Sequence, residues 1–147
     1  MTTKDGSVLI LGSGRLARRL AGFFSGSGIK VISAYAKEFK EIEETAETAV
    51  QDSSMDYAKK QLIVHGINKV SAVCIVDSDD AVNIYLLMAV LSICEDVLIY
   101  ATLFNESLMS ILGRKHRNVK IFNPAAIVSK LFVESMPAPM SRDEEVK

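Results

Sequence analysis

A short aliphatic run that breaks into a glycine turn is the feature that most constrains what this chain can fold into. Ser7-Val8-Leu9-Ile10-Leu11 is apolar at every position after the serine, as a parallel strand covered by helices on both faces requires. Gly12-Ser13-Gly14-Arg15-Leu16-Ala17 follows directly, and Leu16, Leu20, Phe23 and Phe24 then recur at i, i+4, i+7 and i+8, the spacing of one helix face. Ser25-Gly26-Ser27-Gly28 stops that helix, and Ile29 to Tyr35 is a second apolar run. Strand, glycine turn, helix and strand within about 30 residues make a βαβ unit.

The alternation continues. Lys37 to Glu47 reads as a charged helix, with Lys37/Glu41 and Lys40/Glu44 at i, i+4. Thr48-Ala49-Val50-Gln51 reads as a third strand ending at Asp52, and Met55 to Val64 as a helix closed near Gly66. Ser71 to Val76 is a strand ending at Asp77, Asp79 to Cys94 a long helix, and Val97 to Ala101 a strand. Asn105 caps a helix running to Leu112. Val119 to Phe122 is a sixth strand, and Pro124 starts a last helix, Ala125 to Met136. The reading is one α/β domain over 1–136, with 137–147 as a polar tail or linker. Its architecture is a Rossmann-like, doubly wound, six-stranded parallel sheet with helices on both faces, in strand order 3-2-1-4-5-6.

The glycine turn has a chemical use. A nucleotide phosphate needs bare backbone N–H groups at a helix N-terminus, and glycines leave them accessible. Gly12 permits the tight turn and Gly14 the close approach; Ala17 holds the third position, usually a glycine, where helix packs on strand. An acid is expected at the end of the second strand, about 20 residues on, to hold the ribose hydroxyls. Tyr35 stands there instead, 21 residues after Gly14. A tyrosine can stack on adenine or donate one hydrogen bond, but it cannot grip both hydroxyls. Lys37 and Lys40, just beyond, read as a solvated helix face.

Composition removes other classes. Lys plus Arg is 17 and Asp plus Glu 18, a formal net charge of −1, which lacks the positive excess of a nucleic-acid binder. Two cysteines, Cys74 and Cys94, read as reduced, buried thiols of a cytoplasmic chain. The most apolar stretch, Ile84 to Cys94, falls short of the roughly 20 residues that cross a bilayer, so direct membrane insertion is not expected. His65 and His116 have no recognisable nucleophile partner, and neither a Gly-x-Ser-x-Gly elbow nor a Walker-type glycine–lysine loop is present. Catalysis and a metal site are therefore not expected. In the long helix, Val82, Leu86, Ala89, Val90 and Ile93 form one apolar stripe, while Ile84, Leu87, Met88 and Leu91 make the other side apolar too. That second side is covered either by neighbours within the chain or by another subunit, and a homodimer built partly on this helix is expected.

Four stretches resemble one family, the regulators of potassium conductance, or TrkA N-terminal domains: Gly12-Ser13-Gly14-Arg15-Leu16-Ala17, Gln51-Asp52-Ser53-Ser54, Val76-Asp77-Ser78-Asp79-Asp80-Ala81-Val82-Asn83 and Ile121-Phe122-Asn123-Pro124. The likeness runs from about Val8 to Met136. It implies a domain that binds NAD(H) or an adenine nucleotide (ATP, ADP or AMP) as a regulatory ligand, pairs as a homodimer, and acts on a membrane cation channel or transporter subunit or on a missing fused domain. The family usually has an acid where Tyr35 stands and a glycine where Gln51 stands. The residues expected at the ligand are Gly12, Ser13, Gly14, Arg15 and Leu16 at the phosphates, Tyr35 at the ribose, Asp52 and Ser53 at the adenine, and Asp77 and Ser78 at the crevice. Arg15 is placed near the phosphates or near a partner subunit across them. Asn83 is expected to order its loop, and Asp79 and Asp80 to face the helix dipole. The cofactor-binding half of an NAD(P)-dependent oxidoreductase and a vestigial Rossmann domain kept for dimerisation are the alternatives.

Overall fold

The computed structural model describes residues 4–34 and 51–137. Its strands are β1 (Val8–Leu11), β2 (Val31–Ala34), β3 (Ala72–Ile75), β4 (Leu98–Thr102) and β5 (Val119–Phe122). Its helices are α1 (Arg15–Gly26), α2 (Gln51–Val64), α3 (Asp80–Ile93), α4 (Glu106–Lys115) and α5 (Pro124–Ser135). The strands form one sheet in the order β2-β1-β3-β4-β5, every pair parallel. The change of direction falls between β1 and β3, and there the carboxyl ends of neighbouring strands leave a crevice.

Alternate residues of the central strands supply two cores, as a pleated strand dictates. Leu9, Leu11, Val73, Ile75 and Ile99 face α2 and α3, where Ala58, Leu62, Leu86 and Val90 meet them. Val8, Ile10 and Cys74 face α1 through Ala17, with Leu20 and Phe24 packed alongside. Because both faces are covered, β1 is buried along its whole length, and its sequence shows no apolar–polar alternation.

Two expectations need correction. Among the described residues the sheet has five strands, not six: Gln51, expected to end the third strand, is the first residue of α2, while 48–50 lie outside the described residues. A four-residue run with one valine is a weak strand signal, and Asp52-Ser53-Ser54 are residue types favoured where helices start. The order of the remaining strands is the expected one with the third left out. The expected helix over 37–47 and the tail beyond Pro137 lie outside the described residues.

The second correction concerns α3. Leu87, expected on a wet or subunit-facing side, is 1% exposed and belongs to the same core as α2. Of the four residues on that side only Met88 is exposed. A helix apolar all round is here buried between the sheet and α2. The exposed apolar helix is α5: none of its residues is buried, and Ile127, Val128, Leu131, Phe132 and Val133 all face outward to a large extent.

Cys74 and Cys94 are free and buried. Burial pushes the Cys74 thiol up to about 11; burial, then the hydrogen bond to Asp96, raises that of Cys94. Since the thiolate is the reacting form, native protein at about pH 8 should react with a disulfide reagent far more slowly than the roughly 8.5 of a free thiol would allow. The rate at Cys74 should climb with pH towards 11, and denaturant should release both thiols at once. Prompt reaction of either thiol in the folded protein would contradict this burial.

Candidate functional site

The site is built where β1 ends. Leu11 leads into Gly12, whose φ is +122°, and then Gly14, whose φ is +115° and whose residue caps α1. Both values lie where side chains are strained. Gly12 is also spatially forced: a Cβ there would lie 2.6 Å from the backbone nitrogen of Asp77 and 2.8 Å from its Cα. The β1–α1 turn therefore rests directly on the backbone that leaves β3.

Asp77 locks the contact. It is 7% exposed; its Oδ1 accepts from the Ser13 N–H at 2.9 Å and the Ser13 hydroxyl at 3.2 Å, and its Oδ2 from the Asp79 N–H at 3.2 Å. Asn83, 1% exposed, holds Asp77 from behind. Its Oδ1 accepts from the Asp77 N–H at 2.9 Å, while its Nδ2 donates to the Asp77 carbonyl at 2.9 Å and the Thr102 carbonyl at 3.0 Å. Asn83 thus orders the loop, as its place one turn into the helix suggested, and ties β3 to β4 as well.

The network reaches the far edge of the sheet. Asp79 caps α3 by accepting from the Ala81 N–H. Asp80 does more than face the helix dipole: its carboxylate accepts from the Phe104 and Asn105 N–H groups at 2.9 and 3.0 Å. Asn105 in turn caps α4, and Asn123 caps α5 while its Nδ2 donates to the Phe104 carbonyl. Side-chain amides and carboxylates therefore fix the carboxyl edge of the sheet from β1 to β5.

No side chain caps α1, so its N-terminal N–H groups keep their capacity to bind an anion. Beside them opens a cleft of about 420 Å³, lined by Ile10, Gly12, Ser13, Gly14, Ala17, Arg18, Ala21 and Ser33. Sequence reasoning placed Gly12, Ser13 and Gly14 here and missed Arg18 and Ser33. Arg18 was legible, being one helical turn beyond Gly14; Ser33 needed the β1–β2 register, which pairs it with Ile10. The side chains of Arg15 and Leu16 do not line this cleft. Arg15 borders an open surface with Arg18, Arg19 and Phe23, and Leu16 an apolar groove between α1 and α5. Asp77 touches the turn itself, and Ser78 is exposed in the loop that follows. Tyr35 lies outside the described residues. Asp52 and Ser53 belong to the first turn of α2 and not to a strand end, so a strand-end position no longer supports their place at the adenine. Among the described residues, no group of three His, Cys, Asp or Glu could hold a metal ion.

A parallel doubly wound sheet with a glycine turn feeding an open helix N-terminus at its switch point defines a nucleotide-binding type of domain. The TrkA-N domain family matches residues 8–124, and the chain belongs to that family. It is a family of regulatory Rossmann-like domains, generally non-catalytic, that bind nucleotides of the NAD(H) type. No curated protein matches the chain. Among the described residues no helix is long and apolar enough to cross a membrane.

Proposed function

We propose that this domain binds a nucleotide, of the NAD(H) or adenine type, as a regulatory signal and passes its state to a partner or fused domain that moves potassium or another cation. The observation that carries the reading is the uncapped N-terminus of α1 beside the cleft of Arg18 and Ser33, in a chain of the TrkA-N family. The bare N–H groups hold a phosphate and the arginine balances its charge. The rigid network behind the turn offers a route for ligand state to reach β4 and β5.

A thermal-shift series with NAD, NADH, AMP, ADP and ATP tests the reading. Ligand at 100 times its dissociation constant should add about 2.7 kcal/mol. Arg18→Ala, on an exposed helix face, should fold normally and lose about 1.5 kcal/mol of nucleotide affinity, roughly tenfold, the lower range for a charged hydrogen bond. A folded parent that responds to none of these nucleotides would end the proposal.

Assembly as a homodimer is part of the same proposal, with its surface moved from α3 to α5. The support is an imbalance within the chain: α5 presents Leu131, at 58% exposure, and Phe132, at 64%, to solvent. Beside it an apolar groove of about 500 Å³, lined by Leu20, Phe24, Val76, Tyr100 and Phe122 among others, is left open. Each copy thus carries both an apolar helix and an apolar hollow, which two-fold pairing can match reciprocally. Sedimentation should show a dimer for the parent and a monomer for Leu131→Glu; a parent monomeric at high micromolar concentration would remove this part.

A further inference from the structure

The cleft is one-sided. Every residue that lines it comes from β1, the glycine turn, α1 or β2, and none from β3 or β4. A dinucleotide on a doubly wound sheet needs both sides, because its pyrophosphate sits on the turn and its second nucleoside crosses to the strands beyond the switch point. In this chain that far side begins with Asp77, which already occupies the Ser13 N–H of the turn. Asp79 and Asp80 follow within three residues, each carboxylate held by backbone N–H groups. The cationic side chains lie the other way, with Arg18 in the cleft and Arg15 and Arg19 next to it. An anion entering from the β2 side meets an open helix N-terminus and an arginine; beyond Ser13 it meets the Asp77 carboxylate.

We infer that Asp77 sets the ligand class: the site takes a nucleoside monophosphate, its phosphate on the α1 N-terminus and its nucleoside towards Ser33, and it rejects ligands carrying a second phosphate. The inference rests on the nucleotide-binding reading above and narrows it. Rejection has two sources. The Ser13 N–H that a second phosphate would use is taken, and the group that takes it carries the same sign of charge as the phosphate. Like charges brought together in a partly desolvated site repel. The latch cannot swing aside cheaply, because its carboxylate would give up the Ser13 N–H, the Ser13 hydroxyl and the Asp79 N–H.

Calorimetric titration of the parent and of Asp77→Asn with AMP, ADP and NAD, in the presence of a chelator, tests this. The parent should bind AMP at least tenfold more tightly than ADP or NAD. Asp77→Asn keeps the size of the side chain and an oxygen for the Ser13 N–H but removes the charge, so its preference for AMP should shrink at least tenfold. A loss of thermal stability without a change in that ratio would mark Asp77 as a structural residue only and overturn the assignment. So would a parent that binds ADP or NAD as tightly as AMP, an outcome that leaves the nucleotide site standing; this parent ratio decides the matter even if the variant does not fold. A parent that binds none of the three overturns the site and this inference together.

Discussion

Gly12→Ala should destabilise the protein by about 4 kcal/mol, the sum of a strained backbone and an overpacked contact, each worth roughly 1–3 kcal/mol. The φ of +122° is one that a side chain resists, and the new methyl would lie 2.6 Å from the Asp77 nitrogen. Neither partner can yield easily. The turn is the direct continuation of a fully buried strand, and the Asp77 backbone is bonded on both sides by Asn83. Gly14→Ala is the control. Its φ is also positive, but nothing lies within 4 Å of the added atom, so it should cost only the strain, about 2 kcal/mol. Urea denaturation of both variants gives the comparison. Equal losses at the two positions would show that the Gly12–Asp77 contact relaxes freely and that the turn is not fixed by β3.

The same two glycines show what could be read from the sequence. The pattern Gly12-Ser13-Gly14 after an aliphatic run established the strand, the turn and the helix start, because each rests on local chemistry. The helix starts at the Asn105 cap and at Pro124 were legible for the same reason. Contacts between distant segments were not. That Gly12 presses on Asp77, that Asp77 binds Ser13, and that Asp80 reaches across to Phe104 all depend on β1 and β3 being neighbours and on the register between them. Asp77 was therefore placed at the crevice without its partners. Asp80 was assigned a helix-dipole role because one sequence shows only the helix it begins. The misjudged side of α3 has a related cause: periodicity reports which faces are apolar, but not whether α2 or a second subunit covers them. Leu87 and Leu131 look alike in the sequence and differ from 1% to 58% in exposure.

Asn83→Ala should cost about 3 kcal/mol, more than any other side-chain truncation in the carboxyl-edge network. The amide satisfies three backbone groups at once: the N–H and carbonyl of Asp77 and the carbonyl of Thr102, at 2.9, 2.9 and 3.0 Å. Asp77 and Thr102 are each 7% exposed, so water reaches these groups poorly after truncation. A buried polar group left unpaired costs about 1–3 kcal/mol, and three at the lower end give the stated figure. Removing the cap at Asn105, which is exposed, should cost only about 1 kcal/mol. The functional consequence follows from position. With Asn83 gone, the backbone that carries Asp77 loses its hold on β4, and the Ser13 latch loses the rigidity that lets it exclude a second phosphate. Asn83→Ala should therefore lose stability and also lose AMP-over-ADP discrimination, whereas Asn105→Ala should retain the discrimination. Equilibrium unfolding together with the AMP and ADP titrations separates the two variants. A loss below about 1 kcal/mol, less than one unpaired buried group, would mean that water replaces the amide and that the edge is held elsewhere.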